Sequence, residues 1–233
     1  MNERVTTLPS ADYGYGISQE QRHKVLRNTY WLLALSLLPT VLGAWIGVAT
    51  GITQSLRGGV GLIVFLGGAF GFMYAIEKTK HSAAGVPVLL GFTFFMGLML
   101  SRLIGHALGM SNGVRLISLA FGGTGAVFVG MAAMAGTMKR DVSSMGKWLM
   151  VGAVVLMVAA VANIWLQLPA LHLAISAMAV LIFSAFIMYD LKRIIDGGET
   201  NYVTATLSIY LNVYNVFSSL LQLLMAFAGG DRE

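Results

Sequence analysis

No cysteine occurs among the 233 residues, which excludes a disulfide scaffold, a thiolate zinc site, an iron-sulfur cluster and covalent haem attachment. Charge is scarce as well. Only 11% of the residues are charged while 57% are hydrophobic, against roughly 25% charged in an ordinary soluble domain. So few ionised groups cannot cover a globule of this size, and the missing surface is lipid. The formal net charge is +5, but the basic residues fall in small groups between apolar runs. Nucleic acid is therefore not an expected partner, and the lysine and arginine excess reads as a topology signal.

A helix that crosses a bilayer needs about 20 mostly apolar residues. Seven runs of that kind are present, at 29–51, 59–76, 87–108, 115–138, 148–168, 171–189 and 203–228. The second is the shortest, and the fifth and sixth nearly fuse at Leu168-Pro169-Ala170. The fold class expected is an all-α membrane protein of seven transmembrane helices. Its organisation divides into a flexible N-terminal tail (1–28), a membrane domain (29–228) and a short C-terminal tail (229–233). No apolar h-region lies in the first 28 residues, so a signal peptide is not expected there.

Basic residues in short loops are retained on the cytoplasmic side. With the N-terminus inside, that side holds Arg4, Arg22, Lys24, Arg27, Lys78, Lys80, Lys139, Arg140, Lys147, Lys192 and Arg193, leaving Arg57, Arg102, Arg115 and Arg232 opposite. Seven spans then put the C-terminus outside. Glycines four apart, at Gly43, Gly47 and Gly51, Gly67 and Gly71, and Gly105 and Gly109, let helix backbones approach closely. They are expected to serve packing within the bundle before any dimer interface.

The seventh run differs from the rest. At 100° per residue, Asn201, Thr204, Ser208, Asn212, Asn215, Ser219 and Gln222 share an arc of about 80°. Facing lipid, this stripe would leave its amides and hydroxyls without partners, so the helix belongs near the centre of the bundle. Two readings of the stripe stand open: interhelical hydrogen-bond glue, worth about 0.6 kcal/mol per contact, and a lined polar pathway. The sixth run ends in Met188-Tyr189-Asp190-Leu191-Lys192-Arg193, which sets a carboxylate near its cytoplasmic mouth, either as a functional group or as an interfacial anchor. Glu77, beside Lys78 and Lys80, reads as a solvated helix end.

Three apparent motifs lack their structural context. Gly109-Met110-Ser111-Asn112-Gly113 has the spacing of a nucleophile elbow but no preceding strand. His23, His81, His106 and His172 lie on separate segments without metal-ligand spacing. The last span has no lysine for a retinal Schiff base, and no serine and histidine pair convincingly as an intramembrane protease would require. Neither a metal nor a cofactor is expected, and the reading is non-enzymatic.

Several segments together carry a more specific signal. They are His23-Lys24-Val25-Leu26-Arg27-Asn28-Thr29-Tyr30, then Thr137 with Lys139-Arg140-Asp141 and Ser143, then Asn163-Ile164-Trp165-Leu166-Gln167-Leu168-Pro169. Gly197-Gly198-Glu199-Thr200-Asn201-Tyr202 follows, and Leu207-Ser208-Ile209-Tyr210 leads into Asn215-Val216-Phe217. On these the chain resembles the Bax inhibitor family of integral membrane proteins, closest to its bacterial YccA branch, over nearly its whole length. The resemblance implies six helices around a central seventh. It also implies two activities. One is binding and restraint of the membrane-anchored ATP-dependent protease FtsH in membrane protein quality control, with the N-terminal tail as a handle. The other is a pH-sensitive leak of calcium or other cations, gated by two acidic residues on the last two helices.

Carried over to this sequence, the gate falls on Asp190 and Asn212, with Lys78 or Lys80 as the cation expected to pair with the acid. Asn212 departs from the family pattern, which has a second acid there. Two adjacent carboxylates share a proton because both cannot ionise cheaply, and an amide supplies no such repulsion. Weaker pH gating between about pH 6 and 8 is therefore expected here than in a two-carboxylate relative. Arg102, in Gly97-Leu98-Met99-Leu100-Ser101-Arg102, is a second departure, at a position where the family usually has proline.

Overall fold

The computed structural model describes residues 18–53, 56, 58–139 and 142–230. The expectations for residues 1–17, for Arg57, for Arg140 and Asp141, and for residues 231–233 lie outside the described residues. Seven helices follow one another: α1 (Gln19–Thr50), α2 (Gly58–Thr79), α3 (Gly85–Leu108), α4 (Gly113–Thr137), α5 (Ser143–Leu166), α6 (Pro169–Asp196) and α7 (Tyr202–Gly230). All seven are long and apolar enough to cross a membrane. The seven-span reading of the sequence holds, and the chain is a multi-pass membrane protein.

Helix ends follow local chemistry. α1 begins ten residues before the apolar run does, because Ser18 and Gln21 form a reciprocal capping box that satisfies two terminal N–H groups. It ends where Gly51 takes the left-handed conformation at φ 66°. The near-fusion of the fifth and sixth runs resolves into a tight turn. Gln167 adopts φ 52°, Asn163 Oδ1 accepts the Leu168 N–H at 3.0 Å, and Pro169 opens α6 at a position that needs no N–H. α6 runs seven residues past the expected boundary at Tyr189. Lys192 and Asp196 pair one turn apart at 2.6 Å, and the helix stops only at Gly197, φ 83°.

Successive helices run up and down through short connections. The start of α7 meets the end of α2, and the start of α1 meets the turn after α6. One end of the bundle therefore gathers Arg22, Lys24, Arg27, Lys78, Lys80, Lys139, Lys147, Lys192 and Arg193, while Arg102 and Arg115 lie toward the other. These are called here the basic end and the far end. α7 packs on α6, α4, α1 and α3 and, over a short stretch, on α2; α5 packs on α6. Ile209, Tyr210, Val216 and Leu221 of α7 are fully buried.

The tightest helix pair is α1 with α3, and glycine is the reason. A Cβ on Gly43 would sit 2.2 Å from the Phe94 carbonyl oxygen, and one on Gly97 would sit 2.1 Å from that of Thr40. The backbones touch only because those atoms are absent. The glycine pair of α2 behaves differently, since Gly67 and Gly71 have nothing within 4 Å of where a Cβ would lie. Their spacing packs no neighbour among the described residues.

Candidate functional site

The hairpin of α6 and α7 builds the site. Its turn, 197–201, is fixed from three sides. Arg22 of α1 lies so close to Gly197 that a Cβ there would be 2.8 Å from its Nε. Glu199 Oε1 accepts the backbone N–H groups of Thr200 and Asn201, each at 2.9 Å. Asn201 caps α7 by accepting the Val203 and Thr204 N–H groups at 2.9 and 3.1 Å, and its own amide donates to the Lys80 carbonyl at 2.9 Å. Asn201 thereby joins the α6–α7 turn to the end of α2.

From that turn, the antiparallel arms bring Asp190 and Asn212 side by side. Asn212 Nδ2 donates to Asp190 Oδ2 at 2.7 Å, and the two residues are only 7% and 9% exposed respectively. Because α6 continues to Asp196, Asp190 lies well inside the helix instead of at its mouth. A buried carboxylate needs hydrogen bonds or countercharge, and the charges that act on it are those of Arg193 and Glu199. Arg193 is held by Glu199 Oε2 at 3.7 Å and lies 5.8 Å above the Tyr189 ring. The two lysines named from the sequence are engaged elsewhere. Lys80 pairs with Glu77, and Lys78 lies 5.1 Å from the ring centre of Tyr74.

Along α7 the remaining stripe residues bond largely within their own helix. Thr204 Oγ1 reaches Asn201 Oδ1 at 3.5 Å, Asn215 donates to the Leu211 carbonyl at 2.8 Å, and Gln222 donates to the Ser218 carbonyl at 3.0 Å. Ser208 is half-buried and Ser219 buried. None of the stripe faces outward: every residue from Tyr202 to Met225 is buried or half-buried. Among the described residues no buried side-chain nitrogen or oxygen lacks a hydrogen-bond partner.

The sequence profile of the family described as inhibitor of apoptosis-promoting Bax1 matches residues 22–229. The chain belongs to the Bax inhibitor family. It is 44% identical, over 90% of its length and 92% of the relative's, to the Escherichia coli K12 protein called modulator of FtsH protease YccA. The same identity and coverage relate it to an E. coli O6:H1 chain called inner membrane protein YccA. An uncharacterized protein of Neisseria meningitidis serogroup A is 38% identical over 94% of this chain and 98% of that one.

In this Bax inhibitor family member, a second polar cluster escaped the reading of the stripe. Tyr210, buried in α7, shares a hydrogen bond with Thr40 of α1 at 2.8 Å and reaches the Thr93 carbonyl of α3 at 3.4 Å. One turn nearer the basic end, Thr206 bonds the Thr29 carbonyl of α1 at 3.4 Å. Tyr210 lies off the stripe, so helical periodicity did not group it with the amides. Pro39, next to Thr40 within a spanning run, was the available local signal, because a proline frees backbone groups that neighbours must satisfy.

Proposed function

We propose that this protein is a non-enzymatic regulator of the inner membrane that binds and modulates the FtsH protease in membrane protein quality control. The observation that carries this reading is the 44% identity, across 90% of the chain, to a protein called modulator of FtsH protease. In this proposal the basic end faces the cytoplasm, as retention of lysine and arginine predicts. The N-terminal tail is then within reach of a cytoplasmic protease, and the C-terminus is periplasmic. The protein should co-purify with FtsH from native membranes in mild detergent, and removing residues 1–20 should slow its own degradation. Failure to co-purify under those conditions overturns the reading. A C-terminal alkaline phosphatase fusion tests the orientation, which requires that the fusion be active.

The buried Asp190–Asn212 contact favours a second reading, a leak for calcium or other cations closed where α6 meets α7. Asp190→Ala or Asn212→Ala should change calcium flux into liposomes, and unchanged flux in both variants sinks it. Asn212→Asp sets a second carboxylate beside the first and should steepen the response of flux between about pH 6 and 8. A steep response already present in the unmodified protein contradicts this account.

A further inference from the structure

Toward the far end, α2, α3, α5, α7 and the connection between α1 and α2 form a partly open cavity of about 390 Å³ lined by Thr53, Leu56, Phe65, Arg102, Ile164 and Tyr214 among others. That volume falls at the small end of ligand pockets, roughly 300–1,000 Å³. Arg102 stands six residues before the end of α3, about 9 Å along the axis from the helix terminus. Its side chain is exposed, so the guanidinium opens both on the cavity and on the far-end surface, where an arginine near a helix end reaches the headgroup level. Its one protein partner among the described residues is the Leu56 carbonyl, which Nη1 meets at 2.7 Å. Among the described residues nothing else claims the N–H groups of the fork.

Two further features point the same way. Tyr214 lines the same space and makes no hydrogen bond among the described residues. Gly61 leaves that space clear: a Cβ there would lie 2.3 Å from the Leu56 oxygen and 3.6 Å from Arg102 Nη1. The Thr53 hydroxyl, by contrast, is occupied by Ser101 at 2.8 Å. A fork of donors and one phenol thus meet in a chamber whose other walls, Leu62, Phe65, Met99 and Ile164, are apolar.

We propose that this cavity binds the phosphate of one anionic phospholipid from the far-end leaflet, held by Arg102 and Tyr214, with the start of an acyl chain against the apolar walls. Planar bidentate pairing suits arginine to phosphate. A free inorganic anion would make no use of the apolar side, which is why an amphiphile fits better. The site is separate from the Asp190–Asn212 contact and depends on neither functional reading above.

The test is native mass spectrometry of the delipidated full chain titrated with phosphatidylglycerol or with diacylglycerol of the same acyl chains, which lacks the phosphate. The first phosphatidylglycerol should bind about tenfold more tightly than diacylglycerol, a difference typical of one charge-assisted contact. Arg102→Gln should erase that preference and Arg102→Lys should keep part of it. Tyr214→Phe should weaken phosphatidylglycerol about threefold. Arg115→Gln, which removes an arginine at the same end that does not line the cavity, should change nothing. If Arg102→Gln does not fold, Tyr214→Phe and photolabelling of the unmodified protein by a diazirine phosphatidylglycerol decide, with adducts expected on Leu62, Phe65, Met99 or Ile164. Equal affinity for the two lipids overturns the proposal, as does a preference that survives Arg102→Gln. One-for-one displacement by inorganic phosphate also overturns it, by assigning the cavity to a free anion.

Discussion

α5 and α7 are both long enough to span a bilayer, yet they stand in opposite relations to the rest of the molecule. α5 is the more apolar, and none of its described residues is buried: Trp148, Met150, Val151, Val154, Val155, Met157, Val158 and Trp165 are all exposed. α7 carries the polar stripe and has Phe227 as its one large exposed apolar side chain among the described residues. In water the ranking would be reversed. In lipid, the acyl chains are as apolar as leucine, so apolar surface has no reason to hide, whereas amides and hydroxyls do. Burial in this chain therefore follows polarity and backbone closeness, and hydrophobicity marks the outside.

That contrast can be broken by exchanging the two kinds of position. The largest loss is expected for Gly97→Val, which forces a side chain into the Thr40 carbonyl and pries α1 from α3, at about 3 kcal/mol. Unfolding in mixed micelles titrated with SDS measures it. Asn212→Leu follows, at about 2 kcal/mol by the same titration, because it leaves the buried Asp190 carboxylate without its donor. A leucine there that proved neutral would show that the contact contributes nothing to the central packing. Tyr210→Phe removes the hydroxyl that links α7 to Thr40 and Thr93 and should cost about 0.6 kcal/mol, in line with other hydrogen bonds inside membrane proteins. The smallest effect belongs to the outside: Val155→Leu on α5 should stay within about 0.5 kcal/mol of the unmodified protein. Should Val155→Leu destabilise as much as Asn212→Leu, the assignment of α5 to the lipid face would be wrong.

Much of this was legible in advance, and the reasons are specific. The seven runs were visible because spanning helices need length and apolarity that nothing else in the chain supplies. The central place of α7 was visible because its polar residues recur on one arc. The span ends were less accurate where polar chemistry extends a helix beyond the apolar run, as Ser18 does for α1 and the Lys192–Asp196 pair does for α6. Glycine spacing was ambiguous for a similar reason. Gly43 and Gly47 meet α3 closely while Gly67 and Gly71 meet nothing within 4 Å among the described residues, and the spacing is the same in both cases. The two lysines at the end of α2 were expected as partners of the acid, but Lys80 pairs with Glu77 on its own helix and Lys78 lies over the Tyr74 ring. The cavity at Arg102 gave only a faint sign, one arginine within an apolar run, because its walls come from four helices and the α1–α2 connection.

By itself the sequence determined the class of solvent, the number of crossings, the family and the helix that belongs inside, since each is set by composition and period along one chain. Only the tertiary structure decided that Asn212 meets Asp190 at 2.7 Å, that Tyr210 bridges to Thr40 of α1, and that Arg102 opens on a chamber shared among helices. Contacts of that kind depend on how far each helix is slid and turned against its neighbours, and an apolar run fits the bilayer equally well at many such settings. Backbone approach at Gly43 and Gly97, together with the need to satisfy every inward polar atom, selects one of them.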